Sequence, residues 1–158
     1  MKKIAFIDDC VENPSNPDRK YHNVDMLKEN PKYAMSRYKE NLKIIEGLRK
    51  HHAVTTYNSL IYAGNLFRMY SVDFDYIITN SPPNWDNGDI NNSKEKDYSR
   101  SIYHLRKIKQ ILDSEIVVFS GASEDVFNEI KLLNISNFLR RKPNRIDENI
   151  EKLLEMIK

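Results

Sequence analysis

A parallel α/β sheet, doubly wound with helices on both faces, is the fold class this sequence predicts, and three observations predict it. Short β-rich runs alternate with stretches of three- and four-residue apolar period, the pattern of βα units rather than of a bundle or a sandwich. The chain has 158 residues, enough for one domain with a real core and too few for two comfortable ones. Several β-rich runs also end on polar groups: Asp8-Asp9, Asn80, Ser120, and Lys142-Pro143 just past the last run. The carboxyl ends of parallel strands share one edge, so these groups converge on one crevice.

The elements follow in order. Lys3 to Ile7 is a first strand. The polar stretch after it contains Asn13-Pro14, Asn16-Pro17 and Asn30-Pro31, which favour turns, so a long loop is expected over about 10–32. From Tyr33 to Lys50 the residues Ala34, Met35, Tyr38, Leu42, Ile45 and Leu48 form the apolar stripe of a helix lying on a sheet. Ala53 to Tyr57 is a second strand, and Asn58 or Ser59 caps a helix reaching about Tyr70. Tyr76 to Thr79 is a third strand, followed by a second long polar loop over about 81–96 that carries Pro82-Pro83, Trp85 and Asn87-Gly88. Tyr98, Ile102, Leu105, Ile108 and Leu112 mark a helix, and Ile116 to Phe119 a fourth strand. Ser123 caps a helix carrying Val126, Phe127, Ile130 and Leu133. Asn137 to about Arg140 is a short fifth strand, and Ile146, Ile150, Leu153, Leu154 and Ile157 complete an amphipathic last helix. The expectation is five strands and five helices in a single domain over residues 1–158.

Composition narrows the function. Lys and Arg number 25 against 23 Asp and Glu, and the basic residues are spread along the chain, so no nucleic-acid footprint is evident. The single Cys10 excludes an internal disulfide, and no apolar run approaches the ~20 residues that span a bilayer. Asp8-Asp9 interrupts the first apolar run too early for a signal peptide. A soluble, cytoplasmic protein with no membrane or nucleic-acid partner is expected. The histidines show no metal-ligand spacing.

Taken together, these pieces resemble the receiver domains of two-component response regulators, the CheY-like family. Asp8-Asp9 is similar to the family's acidic pair, Ser120-Gly121-Ala122 to its hydroxyl and small residues, and Lys142-Pro143 to its lysine and following proline. Asn80 falls where the family carries its phosphorylated aspartate, and Pro83 to Gly88 is similar to the loop beyond it. The resemblance implies a flavodoxin-like fold with strand order 2-1-3-4-5. It also implies Mg²⁺ held by Asp8 and Asp9 with help from the backbone carbonyl near Asn80, and phosphoryl contacts from Ser120 and Lys142. A hard divalent cation suits such a site because an arriving phosphoryl group is highly anionic.

The departure from the family pattern lies at Asn80. A carboxamide is a poor nucleophile and forms no acyl phosphate, so ordinary aspartyl phosphorylation is expected to be absent, and Mg²⁺ to be weak or lost. The reading is an atypical receiver, more a regulator than an enzyme, acting on another protein, a signalling partner or kinase-related protein, with a homodimer through the last helices allowed by the family pattern. Other readings stay open. The two long loops would overhang the crevice, with Trp85, Tyr21 and Tyr98 as a lid, in a small-molecule binder or enzyme. Val118-Phe119-Ser120-Gly121 is similar to a motif of haloacid-dehalogenase-like phosphatases, but Asp8 and Asp9 are adjacent where that family separates two aspartates by one residue. Asn80-Ser81-Pro82-Pro83 is similar to the Asn-Pro-Pro motif of amino-methyltransferases, but Ser81 interrupts it and no glycine-rich cofactor loop is present. The bland alternatives are a solvated strand end at Asp8-Asp9, a turn at Asn80, and an exposed basic patch at Arg140-Arg141-Lys142.

Overall fold

The run Lys3–Ile7 is apolar without alternation, and its last four residues are buried, as a central strand covered on both faces requires. A computed structural model, describing residues 1–16, 30–80, 99–121, 128, 130–135 and 137–158, places it in the middle of a five-stranded parallel sheet. The elements are β1 (Lys3–Ile7), α1 (Pro31–Arg49), β2 (Ala53–Tyr57), α2 (Leu60–Met69), β3 (Tyr76–Thr79), α3 (Ser99–Ile111), β4 (Glu115–Ser120), β5 (Asn137–Arg140) and α4 (Ile146–Met156). The strand order is β2-β1-β3-β4-β5, the doubly wound order expected from the sequence. Register aligns Ile7 with Tyr57 and with Thr79, and Ser120 with Arg140, which brings the carboxyl ends of all five strands to one edge.

Period-2 alternation divides the strand side chains between two apolar layers. Ala5, Ile7, Ile77 and Val118 pack against Leu60, Ala63 and Phe67 of α2 and Leu105 and Ile108 of α3. Ile4, Phe6, Ile78, Val117 and Phe119 pack against Ile44, Ile45 and Leu48 of α1 and Leu153 of α4. By the same alternation Asp8, two residues after Phe6, points toward the α1 layer.

Local chemistry sets the helix starts. The Ser59 hydroxyl accepts the Tyr62 amide at 3.2 Å and caps α2, as expected. Asn30-Pro31, expected as a turn inside the first long loop, instead opens α1. The Asn30 side chain accepts the Tyr33 amide at 3.3 Å, and proline at the first helical position lacks only an N–H that would have no intrahelical partner. The buried face of α1 also differs from the expected stripe: Asn41 and Ile44 lie inside, while Leu42 is exposed. Of the helix led by Ser123, Asn128, Ile130 and Lys131 are helical and Ile130 is fully buried; Ser123, Val126 and Phe127 lie outside the described residues. So do the loop residues Tyr21, Trp85 and Tyr98. Among the described residues no helix is long and apolar enough to cross a membrane.

Helices α1 and α4 meet at Gly47, where an added Cβ would lie 2.8 Å from Cδ1 and 3.0 Å from Cγ2 of Ile150. The gain in helix propensity from losing this glycine is smaller than the cost of forcing the two helices apart. Gly47→Val is expected to lower stability by about 1–3 kcal/mol, and Ile150→Ala in the same chain to recover part of that loss, measured by urea denaturation.

Candidate functional site at the carboxyl edge

Asp8 leaves β1 at its carboxyl end, and its amide continues the strand ladder onto the Tyr57 carbonyl at 3.0 Å. Its side chain turns inward and is 2 % exposed. One carboxylate oxygen, Oδ1, accepts the Cys10 amide at 2.9 Å, the turn an aspartate makes with its own backbone two residues on. The other, Oδ2, accepts a hydrogen bond from Arg37 of α1 at 3.1 Å and lies 3.7 Å from a guanidinium nitrogen of Arg141, the residue after β5.

Arg141 is held on several sides. Its guanidinium donates to the Asn41 carboxamide oxygen at 2.7 Å and to Glu40 at 3.0 Å, and it stacks 5.2 Å from the centre of the Phe119 ring. The Asn41 amide in turn donates to the Cys10 carbonyl at 3.1 Å, fixing the turn that carries Asp8. Two guanidiniums thus face two carboxylates, Asp8 and Glu40, in one buried network joining β1, α1 and the end of β5.

Asp9 lies beside Asp8 in the turn after β1 and is half-buried. The Asn80 amide donates to its Oδ1 at 3.4 Å, and the Asn80 carbonyl accepts the Thr79 hydroxyl at 2.8 Å. Burial would raise the Asp8 pKa, but the Arg37 and Arg141 charges outweigh it and hold the carboxylate ionised below its ordinary value. Asp9 moves the other way. Burial, the Asp8 charge beside it and the hydrogen bond it shares with Asp8 push it up to about 8, against the smaller pulls of Arg37 and Asn80. Burial above all, with the two aspartates adding to it, pushes the Cys10 thiol up, which makes it an inert buried group.

The carboxyl edge therefore gathers Asp8, Asp9 and Asn80, with Ser120 buried at the end of β4 and its carbonyl accepting the Arg141 amide at 3.0 Å. Lys142 is placed elsewhere. Its ammonium pairs with Glu148 of α4 on the surface, and its backbone is clamped by Asn149, which both accepts from its amide and donates to its carbonyl. Period-2 alternation supplies the reason. Leu139 packs in the α1 layer, so Arg141 shares its direction and Lys142 does not. Arg37, Glu40, Asn41 and Arg141 were not singled out from the sequence as site residues. The legible signal was Arg141 two residues after an apolar strand residue, in a basic triplet that otherwise looks like solvated surface.

With this geometry, likeness to solved structures becomes informative. A receiver domain of the Francisella response regulator 1452 superposes with a TM-score of 0.55 at 16 % identity, over all of both chains. The response regulator protein TrrA from Thermotoga maritima, solved in complex with Mg²⁺ and BeF, gives 0.52 at 15 % identity, over 99 % of each. The chain has the receiver fold. No family model matches it, and neither does any curated protein.

The receiver fold raises Mg²⁺, and the ligands expected for it can be tested against the site. Both Asp8 oxygens are engaged by protein donors, Asp9 takes the Asn80 amide, and the Asn80 carbonyl takes the Thr79 hydroxyl. Asp8, Asp9 and Cys10 cluster closely enough to hold an ion, but a thiol does not suit Mg²⁺. The arrangement does not fit a bound divalent cation, because two guanidiniums already neutralise the carboxylate that would hold it. Cavities of about 390 and 560 Å³ open at the opposite, amino edge, around Asp113, Ser114 and Glu115, and none of the residues lining them is an expected site residue.

Asp8→Ala leaves Arg37 and Arg141 facing no carboxylate at this point, and is expected to cost about 3–5 kcal/mol in denaturant unfolding. Asp9 makes a pH signature. Between its ordinary 3.8 and about 8 the folded chain keeps a proton that the unfolded chain has released. Its contribution is therefore largest below the lower value and declines as pH rises through the upper one. Asp9→Asn cannot titrate, so the difference in stability between about pH 5 and about pH 8.5 is expected to shrink in that variant.

Proposed function

We propose that this chain is a single-domain atypical receiver, residues 1–158, which signals by binding another protein and not through aspartyl phosphorylation. The observation that carries the reading is Asn80. It stands at the end of β3 beside Asp9, and its amide donates a hydrogen bond there, where phosphoryl chemistry would need a carboxylate nucleophile. The receiver fold supports the signalling part by analogy of architecture.

The partner surface in this reading is the side of the molecule formed by β5 and its neighbouring helices. Among the described strands β5 stands at the end of the sheet, next to β4. Tyr103 and Ile111 of α3 and Leu132 are large apolar residues left exposed. The partner class is a signalling or kinase-related protein, with a second copy of the chain as the symmetric case. The near-neutral, evenly mixed charge does not favour nucleic acid, and the setting is cytoplasmic. Ser120 remains a polar group of the crevice in this reading. Lys142, held at the surface by Glu148, supports the attachment of α4 to the end of β5.

Incubation with acetyl phosphate and Mg²⁺, followed by intact-mass measurement and hydroxylamine treatment, tests the chemical part. The expected result is an unmodified chain. Stoichiometric, hydroxylamine-sensitive labelling of Asp8, Asp9 or Asp86 overturns the reading.

A further inference from the structure

We infer that Arg37 and Arg141 replace the divalent cation of the crevice, so that Asp8 and Asp9 form a metal-independent site whose counter-charge is built into the chain. The inference deepens the receiver-like reading of the same site and rests on it.

Three observations converge. The Asp8 carboxylate is almost wholly buried, and both its oxygens are taken up from within the protein, Oδ1 by the Cys10 amide and Oδ2 by the two guanidiniums. The arginines come from two elements, α1 and the segment after β5, and both approach the same carboxylate oxygen, Oδ2. Arg141 is itself fixed by Glu40, Asn41 and the Phe119 ring, and cannot swing out without breaking contacts to three side chains.

The charge pattern follows the same logic. A cation with hard oxygen preference is attracted by uncompensated carboxylates. Here Arg37 and Arg141 balance Asp8 and Glu40, and an ion approaching Asp8 meets like charge at short range. Guanidiniums also keep their charge across the accessible pH range and bind a carboxylate through directed hydrogen bonds, which a hydrated Mg²⁺ ion does less readily. Among the described residues the buried Arg141 Nε has no hydrogen-bond partner. That residue is thus held in place for its charge at some cost in hydrogen bonding.

Metal binding to the purified full chain decides the matter, read by isothermal titration calorimetry with Mg²⁺ and by electron paramagnetic resonance with Mn²⁺. The wild type is expected to show no saturable binding in the millimolar range. Arg37→Gln removes one guanidinium at a half-buried position and is expected to tighten Mn²⁺ binding by at least about tenfold, with competition by Mg²⁺ and loss of the gain on adding Asp8→Asn. Arg141→Gln should behave likewise. Arg141→Lys, which keeps the charge, should stay metal-free. If Arg141→Gln does not fold, Arg37→Gln alone answers. Saturable, Asp8-dependent binding in the wild type overturns the inference, as does an Arg37→Gln chain that stays as metal-free as the wild type. These outcomes are separate from the phosphodonor result. A wild type that binds Mg²⁺ but takes no label sinks this inference and leaves the proposed function standing. A wild type labelled in the presence of EDTA does the reverse.

Discussion

Burying Asp8 imposes the constraint on which the carboxyl edge depends. An ionised carboxylate removed from water is tolerated only when charge and hydrogen bonds are returned to it, and here they come from three places far apart in the chain. The turn at Cys10 supplies an amide, α1 supplies Arg37, and the segment beyond β5 supplies Arg141. Each partner is in turn held by others, with Asn41 linking Arg141 to the Cys10 carbonyl. The placement of α1 on the sheet and the exit of the chain from β5 are thereby tied to one carboxylate. This is specificity more than stability, since buried ion pairs often do no better than apolar packing of equal volume.

Two neighbouring carboxylates with opposite environments follow from that arrangement. Asp8 faces the arginines and stays charged; Asp9, one residue on, faces Asp8 and the neutral Asn80 amide and retains its proton to higher pH. An acid pair that would jointly attract a cation thus becomes one ion-paired carboxylate and one hydrogen-bonded carboxyl group. Asn80 belongs to this logic. A carboxylate there would add a third acidic group to the cluster, whereas the amide can donate to Asp9.

Much of this was legible in the residues, and the limits are specific. The five strands, their order and the placing of Asp8, Asp9, Asn80 and Ser120 at the strand ends could be anticipated because strand-end position is a local property, carried by apolar runs and the polar residue that stops them. Lys142 could not be placed in the same way. Whether it or Arg141 turned inward depended on which face Leu139 occupied, a matter of one residue in register at a short edge strand. The α1 stripe misled for a related reason. A polar Asn41 counts as surface in any apolar pattern, yet it is buried because the Cys10 carbonyl and Arg141 satisfy its amide.

The sequence by itself determined the fold class, the alternation of layers, and the presence of an amide at the end of β3, because each of these depends on residue type and short-range periodicity. Only the tertiary structure decided which cation met the buried carboxylate. That choice rests on contacts between residues 29 and 133 positions apart, Asp8 with Arg37 and Asp8 with Arg141, and electrostatic partnership across such distances is set by how the helices and strand ends pack, not by the neighbours of either residue in the chain.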